Sequence, residues 1–233
     1  MVKQIKQIVI LNGGEGKRVK SVSNNKPKCL IEFNGKSFLK LQINFLHKKG
    51  FSEFLILTKK KNNLILSEVN TFKKKNIKII LFKENNKLGT GGAIKNAYSK
   101  LKKNFSVIYG DSWLDLNFSK VNKSYLKSDK NLLITAISKN YVNHKPNLLI
   151  KNNKVISYSK KNFLKNNFVE YGYQVFHKKV FKNFDKKIFD LSLILNKLIK
   201  DNDLELYLVN KKFYEIGSLK GIETFKKYLK KNG

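Results

Sequence analysis

The chain has 233 residues, with 49 Lys or Arg against 16 Asp or Glu, a formal charge of +33. At 41% hydrophobic and 12% aromatic it can build one substantial core, which excludes a disordered polyelectrolyte, and its one cysteine, Cys29, excludes a disulfide framework. Its longest apolar runs, Ile8–Leu11 and Leu132–Ile137, fall far short of the ~20 residues a bilayer requires, and the N-terminus enters a strand-like segment with no signal-peptide region, so a cytoplasmic protein is expected.

Gln4–Leu11 is a short apolar run stopping at Asn12-Gly13-Gly14, the pattern of a buried strand followed by a loop. Ser37–Lys49 carries Phe38, Leu41, Ile43, Phe45 and Leu46 at largely helical spacing, and Gly50 supplies a stop. Phe54–Thr58 predicts a second strand, Asn62–Lys75 a helix and Ile77–Phe82 a third strand. A short helix is predicted over Gly92–Leu101, then a strand over Phe105–Tyr109 that ends at Gly110-Asp111. Strands alternating with helices at this spacing point to βαβ units and a mostly parallel sheet.

The second half is richer in strands, at Leu132–Ser138, Leu148–Lys151, Val155–Tyr158 and Glu170–Phe176, with turn signals at Asn152-Asn153 and Asn166-Asn167. Helices over Leu191–Lys200 and Leu219–Lys230 close the chain, the latter with Ile222, Phe225 and Leu229 on one face. No linker, repeat or low-complexity tail interrupts it. Residues 1–233 are expected to form one α/β domain with a smaller β-rich lobe in the second half.

A pI near 10.1 meets the first criterion for a nucleic-acid binder. The lysines, however, run from Lys3 to Lys231 rather than along one stripe, and the runs Lys59–Lys61 and Lys73–Lys75 read as solvated faces. No specific nucleic-acid partner is expected; such a field instead draws in phosphorylated small molecules.

The most informative segment is Leu11-Asn12-Gly13-Gly14-Glu15-Gly16-Lys17-Arg18, just after the first strand. In open α/β sheets ligands bind beyond the carboxyl ends of the strands. The glycines let a backbone approach a ligand closely, consecutive N–H groups cradle an anion, and Arg18 can clamp phosphate oxygens. The dinucleotide pattern G-x-G-x-x-G fails at Val19, and Gly35-Lys36-Ser37 lacks the upstream glycine of a Walker A loop, where Leu30 stands. His47, His144 and His177 are isolated, so no zinc site is expected. Asp111, after a strand, reads as a metal ligand or as a cap.

Further blocks follow in order: Pro27-Lys28-Cys29-Leu30, Gly35-Lys36-Ser37-Phe38-Leu39, KLGTGGA over Lys87–Ala93, IYGDSWLD over Ile108–Asp115, Glu170-Tyr171-Gly172, and FYEIG over Phe213–Gly217. With the glycine loop, these make the sequence resemble the sugar-1-phosphate nucleotidyltransferases over almost its whole length. The resemblance implies a Rossmann-like α/β fold, a mostly parallel sheet flanked by helices, with a β-rich sugar-binding lobe. It implies transfer of a nucleoside monophosphate from an NTP to a sugar 1-phosphate, releasing pyrophosphate and making an NDP-sugar for surface polysaccharide. The GTGGA loop looks most like the guanylyltransferases for mannose or manno-heptose 1-phosphate.

By the same resemblance, Leu11, Gly13, Gly14 and Gly16 hold the nucleotide, Arg18 its outer phosphates, and Lys28 bridges the α-phosphate and the sugar phosphate. Asp111 would bind Mg²⁺, and Glu215 stands where the family has a second metal carboxylate. Leu88, Gly89, Thr90 and Gly92 would meet base and ribose; Glu170 and Gly172 would meet sugar hydroxyls, and Lys160 the sugar's phosphate. Asn12, Lys17, Lys87 and Glu215 depart from the family pattern, and Cys29 reads as small apolar packing. No hexapeptide repeats are present, so the β-helix acyltransferase domain of some relatives is not expected. Three alternatives stand beside this reading. One is a cytidylyltransferase for a phosphorylated alcohol such as phosphocholine, with Tyr141, Tyr171 and Tyr173 as cage candidates; the second is a lapsed nucleotide-binding regulator; the last is a basic nucleic-acid-binding protein. The oligomeric state is left open.

Overall fold

β1 (Gln7–Leu11) is buried along its whole length, as its unbroken apolar sequence requires of a strand covered on both faces. The computed structural model describes residues 4–14, 17–23, 26–59, 63–72, 76–84, 87–159, 166–182 and 184–232. After β1 come α1 (Lys20–Ser23), the short hairpin β2 (Glu32–Phe33) and β3 (Lys36–Ser37), and α2 (Phe38–Lys48). Then follow β4 (Glu53–Thr58), α3 (Asn63–Asn70), β5 (Lys78–Lys83), α4 (Gly89–Asn96), β6 (Asn104–Tyr109) and β7 (Ser112–Trp113). The second half holds α5 (Phe118–Lys127), β8 (Leu132–Ser138), β9 (Leu148–Lys151), β10 (Lys154–Tyr158) and β11 (Phe168–His177). It ends with α6 (Lys179–Lys182), α7 (Ser192–Lys200), β12 (Leu204–Val209), β13 (Tyr214–Glu215) and α8 (Leu219–Asn232).

The main sheet is mixed around a parallel core. β5, β4, β1 and β6 run parallel in that order, with Ile10 between Ile56 and Ile108. β11 then joins antiparallel to β6, β8 antiparallel to β11, and β12 parallel to β8. The strands of the second half thus extend the same sheet, and the β9–β10 hairpin attaches where Phe168 meets Leu148.

Alternation along β1 feeds two cores. Ile8 and Ile10 pack with Leu39, Ile43 and Leu46 of α2 and Phe118 of α5; Val9 and Leu11 pack with Ala93 and Ile94 of α4 and Ile194, Leu195 and Leu198 of α7. A third cluster joins Val19, Phe33, Phe38, Trp113, Ile216, Ile222 and Phe225, seating α8 on the hairpin and on β7. In α8, Ile222 and Phe225 are buried, the face its spacing predicts.

Local chemistry fixes the ends of these elements. Ser37 caps α2, its hydroxyl accepting from Lys40 N at 3.1 Å, and Gly50 follows the helix at φ +100°. Asn34 and Gly35 both sit at positive φ, as do Asn152 and Asn153, the pattern of two-residue hairpin turns. The glycine of the Gly35-Lys36-Ser37 block is therefore a hairpin corner followed by a helix cap. Asn166 is no turn: it is buried, and its amide donates to Pro146 O and Ser159 O, tying two loops.

The larger departures from expectation are three: α4 begins at Gly89 rather than Gly92, and α5 and β12 stand where no element is expected. The predicted helix over 62–75 is seen as α3 to Asn70; residues 73–75 lie outside the described ones.

Candidate active site

The carboxyl ends of β1 and β6 open side by side. Gly110 N donates to Leu11 O at 3.0 Å and Asn12 N to Leu57 O at 2.9 Å, extending the parallel pairing one step past the strands. At Gly110 a Cβ would lie 3.0 Å from Leu11 O and 3.2 Å from Asn12 Cα, so any larger residue would push the two exits apart. Beyond them lies a cavity of about 460 Å³, walled by residues 11–14, Lys28, Lys59, Glu84, Lys87, Gly89, Thr90, Ala93, residues 109–111 and Asp190.

Lys28 and Asp111 meet in that wall, Nζ to Oδ2 at 2.5 Å, with side chains 14% and 30% exposed. Lys28 opens a one-turn 3-10 helix, Lys28–Leu30, anchored by buried Cys29 and Leu30. Asn12 Nδ2 donates to Cys29 Sγ at 2.9 Å. Burial pushes the Cys29 thiol up to about 12, so it is a protonated packing group beside the loop that leaves β1.

Asp111 is held from the other side by β13. Ile216 N donates to Asp111 O at 3.0 Å, and Glu215 pairs with Ser112. A Cβ at Gly217 would stand 2.7 Å from Glu215 Oε2, 3.2 Å from Asp111 Oδ2 and 3.6 Å from Lys28 Nζ. Three charged side-chain ends thus converge on Gly217, and a larger residue there would displace the Glu215 carboxylate. Glu215 Oε2 accepts from Gly217 N, and Oε1 accepts from Ser218 Oγ at 2.5 Å. Both of its oxygens are engaged at the start of α8.

Two oxygen-donor carboxylates beside each other suit Mg²⁺, which binds through one or two carboxylates and completes its shell with phosphate oxygens and water. Asp111 fits such a role, since the hydrogen bond found at its Oδ1 among the described residues is a long one, from Ser112 Oγ at 3.5 Å. Among the described residues no group of three His, Cys, Asp or Glu could enclose a metal unaided.

The far wall is built by Glu84, Lys87, Gly89 and Thr90. Gly89 has φ +75°, and a Cβ there would overlap Phe189 O. A Cβ at Gly91 would overlap the Phe189 ring, and one at Gly92 would overlap Lys187 O. Gly91 and Gly92 therefore serve packing against residues 187–191, which explains a helix starting in a glycine-rich stretch. Gly89 and Thr90 reach the cavity, whereas Leu88 and Gly92 are not in its wall. Thr90 Oγ1 donates to Asp190 Oδ2 at 3.3 Å and accepts from Leu191 N at 2.9 Å.

Glu84 is buried in this wall, near Gly13 and Lys59. Burial raises its carboxyl above the usual range, opposed by Lys59 and by the Leu88 N–H. The Tyr109 phenol is pushed upward first by burial and then by Glu170, Tyr158, Asp190 and Asp111 around it, so it is a neutral hydroxyl. Tyr109 links the cavity to the β11 bulge: its ring lies 3.6 Å from where a Gly172 Cβ would stand. There Gly172 has φ +99°, and Glu170 Oε1 accepts from Gly172 N at 2.8 Å and Gln174 Nε2 at 3.2 Å.

Of the residues singled out in the sequence, Leu11, Gly13, Gly14, Lys28, Gly89, Thr90 and Asp111 come together in one wall, with Glu215 adjoining through Gly217 and Glu170 and Gly172 through Tyr109. Arg18 is exposed, in the short turn Lys17–Val19, and does not line the cavity. Gly16 and Lys160 lie outside the described residues. Lys59, read as part of a solvated run, is in the cavity wall. Glu84, Tyr109 and Asp190 were missed; Glu84 directly follows β5, so the rule of ligands at strand carboxyl ends points to it. Tyr171 and Tyr173 are core residues while Tyr141 is 59% exposed, so these three form no aromatic cage.

The chain belongs to the Nucleotidyl transferase family, whose profile matches residues 7–232. It is 31% identical over 180 residues to a D-glycero-alpha-D-manno-heptose 1-phosphate guanylyltransferase of Campylobacter jejuni, covering 76% of this chain and 79% of that protein. A protein of the same description from Aneurinibacillus thermoaerophilus is 26% identical over 210 residues, covering 89% and 87%. Among solved structures, HddC from Yersinia pseudotuberculosis complexed with GMP-PN superposes with a TM-score of 0.82 at 28% identity, covering 97% of this chain and all (100%) of that one. No helix among the described residues is long and apolar enough to cross a membrane.

Proposed function

We propose that this protein is a cytoplasmic, Mg²⁺-dependent guanylyltransferase that joins GTP to a sugar 1-phosphate of the manno-heptose or mannose type. It releases pyrophosphate and forms a GDP-sugar for surface polysaccharide, residues 1–233 acting as one domain. The observation that carries the reading is the Lys28–Asp111 pair at 2.5 Å beside Gly13 and Gly14. It sets a compact cation and an oxygen-donor anion at one point, as in-line transfer between two phosphates demands. The relatives' guanylyltransferase descriptions agree with it.

In this reaction an oxygen of the sugar phosphate attacks the α-phosphorus of GTP, and the bond to the β-phosphate oxygen breaks. Residues 13–16 cradle the nucleotide phosphates, Arg18 holds the outer ones, and Lys28 draws the α-phosphate and the incoming phosphate together. Asp111, with Glu215 beside it, would hold Mg²⁺, which when bound would supply charge neutralisation for the leaving pyrophosphate. Glu170, Gly172 and Lys160 receive the sugar phosphate. Guanine presents two adjacent donors, N1–H and N2–H₂, which one carboxylate can accept together; we assign that role to Glu84, a carboxylate of the cavity wall, as the basis for a preference for GTP over UTP and CTP.

The test is pyrophosphate release with Mg²⁺ from GTP, CTP, UTP, ATP and dTTP, each against manno-heptose, mannose, glucose and N-acetylglucosamine 1-phosphates and phosphocholine. Turnover with GTP and a manno-configured sugar 1-phosphate is expected. Nucleotide binding without release from any pair would replace the enzyme with a nucleotide-binding regulator.

A further inference from the structure

Gln42 stands on the inward face of α2 among Leu39, Ile43 and Leu46, and is 1% exposed. Its Nε2 donates to Tyr109 O at 3.1 Å and to Ser112 O at 2.7 Å. Those carbonyls flank Gly110-Asp111, so one amide clamps both ends of the turn that presents Asp111. Its Oε1 has no hydrogen-bond partner among the described residues. Packing alone does not explain an amide here: a buried, unpaired oxygen disfavours folding relative to a leucine or methionine of similar volume. What the amide supplies, and an apolar side chain lacks, is a pair of donors for two carbonyls 67 and 70 residues away.

We infer that Gln42 is a positioning residue for Asp111, an inference that rests on the nucleotidyl-transfer reading. The turn has two other anchors, Gly110 N on Leu11 O and Ile216 N on Asp111 O, both at 3.0 Å. Neither fixes the span between the Tyr109 and Ser112 carbonyls. Without Gln42 these two acceptors lose their common donor, and the turn rotates to find others. Asp111 Oδ2 then leaves its position against Lys28, and a displacement near 1 Å in such a site costs ~100-fold in rate.

The test compares wild type with Gln42→Met, which keeps the volume and removes both donors, and Gln42→Asn, which keeps the amide but cannot reach both carbonyls. Four quantities are read: kcat, KM for GTP, the thermal midpoint, and Mn²⁺ affinity by electron paramagnetic resonance with a non-hydrolysable GTP analogue. Gln42→Met should lower kcat ~10–100-fold, weaken Mn²⁺ binding several-fold and leave KM for GTP within ~3-fold, with Gln42→Asn between it and wild type. A folded Gln42→Met with unchanged kcat and Mn²⁺ affinity overturns the inference. So does a parallel fall in kcat, GTP affinity and thermal midpoint, or failure of both variants to fold, since each marks a general structural role. If wild type itself releases no pyrophosphate, the functional reading fails while the Mn²⁺ measurement still decides the role of Gln42.

Discussion

Asn12 Nδ2 donates to Cys29 Sγ at 2.9 Å, so the residue leaving β1 is tied to the residue following Lys28. The contact couples two loops that otherwise meet only across the cavity. It gives meaning to an asparagine in a position next to the glycine loop, and to a cysteine whose sulfur is buried.

Lys28→Ala and Asp111→Asn should each lower kcat by about 10²–10³-fold, the scale for removing one preorganised charge from a transition state. Both groups remain partly exposed, at 14% and 30%, so the stability of either variant should change little. Steady-state pyrophosphate release and thermal melts separate the two effects.

Glu84→Gln should lower kcat/KM for GTP and narrow its margin over UTP by about 10²-fold, because the amide offers one donor and one acceptor where guanine needs two acceptors. The carboxyl sits above its ordinary range through burial, so its proton is retained to a higher pH than usual. As pH falls through that raised value the carboxylate is lost, and KM for GTP should rise. In Glu84→Gln this acid limb should vanish.

The Cys29 thiol should resist aromatic disulfide reagents at pH 8 in the folded state and react at once after denaturation. Its pKa rises from 9.0 to about 12 on folding, so the folded chain keeps a proton the unfolded chain releases. That stabilisation is whole below pH 9 and should be lost as pH climbs from there towards 12. Urea titrations of wild type and Cys29→Ala across this range should converge at the alkaline end.

Gly91→Ala and Gly35→Ala make a controlled pair. At Gly91 a Cβ would overlap the Phe189 ring, so the substitution should cost about 1–3 kcal/mol and raise KM for GTP by shifting the 88–90 turn. At Gly35 a Cβ meets nothing within 4 Å and only the φ of +70° resists it, so about 1 kcal/mol and an unaltered KM are expected. Chemical denaturation with steady-state kinetics reads both.

The parallel core was legible because Ile8, Val9, Ile10 and Leu11 announce a strand covered on both faces, and because each run is followed by a helical pattern or a glycine. α5 was hidden by composition: its buried Phe118, Val121, Asn122 and Tyr125 are diluted by lysine and serine and include a polar member. β12 carries a short apolar run whose partner, β8, lies far back in the chain. In the site, Lys28 and Asp111 could be found from local blocks. Glu84, directly after β5, was open to the rule of ligands at strand carboxyl ends but stands in no recognisable block; Tyr109, Asp190 and Gln42 could not be found, since each acquires its place from a contact with another element. The glycines of the 89–92 stretch show the converse: the local block names them together, but only the chain passing behind, at Phe189 and Lys187, separates those that pack from those that line the cavity.

Asn34, Asn152, Asn153 and Asn202 all hold positive φ, between 47° and 55°. Asparagine is the side chain that enters this region with least strain after glycine. A chain rich in lysine and asparagine therefore carries in abundance the residue its tight corners accept. The same residue that keeps the surface polar thus also turns the chain, and these corners are made without a glycine at each one.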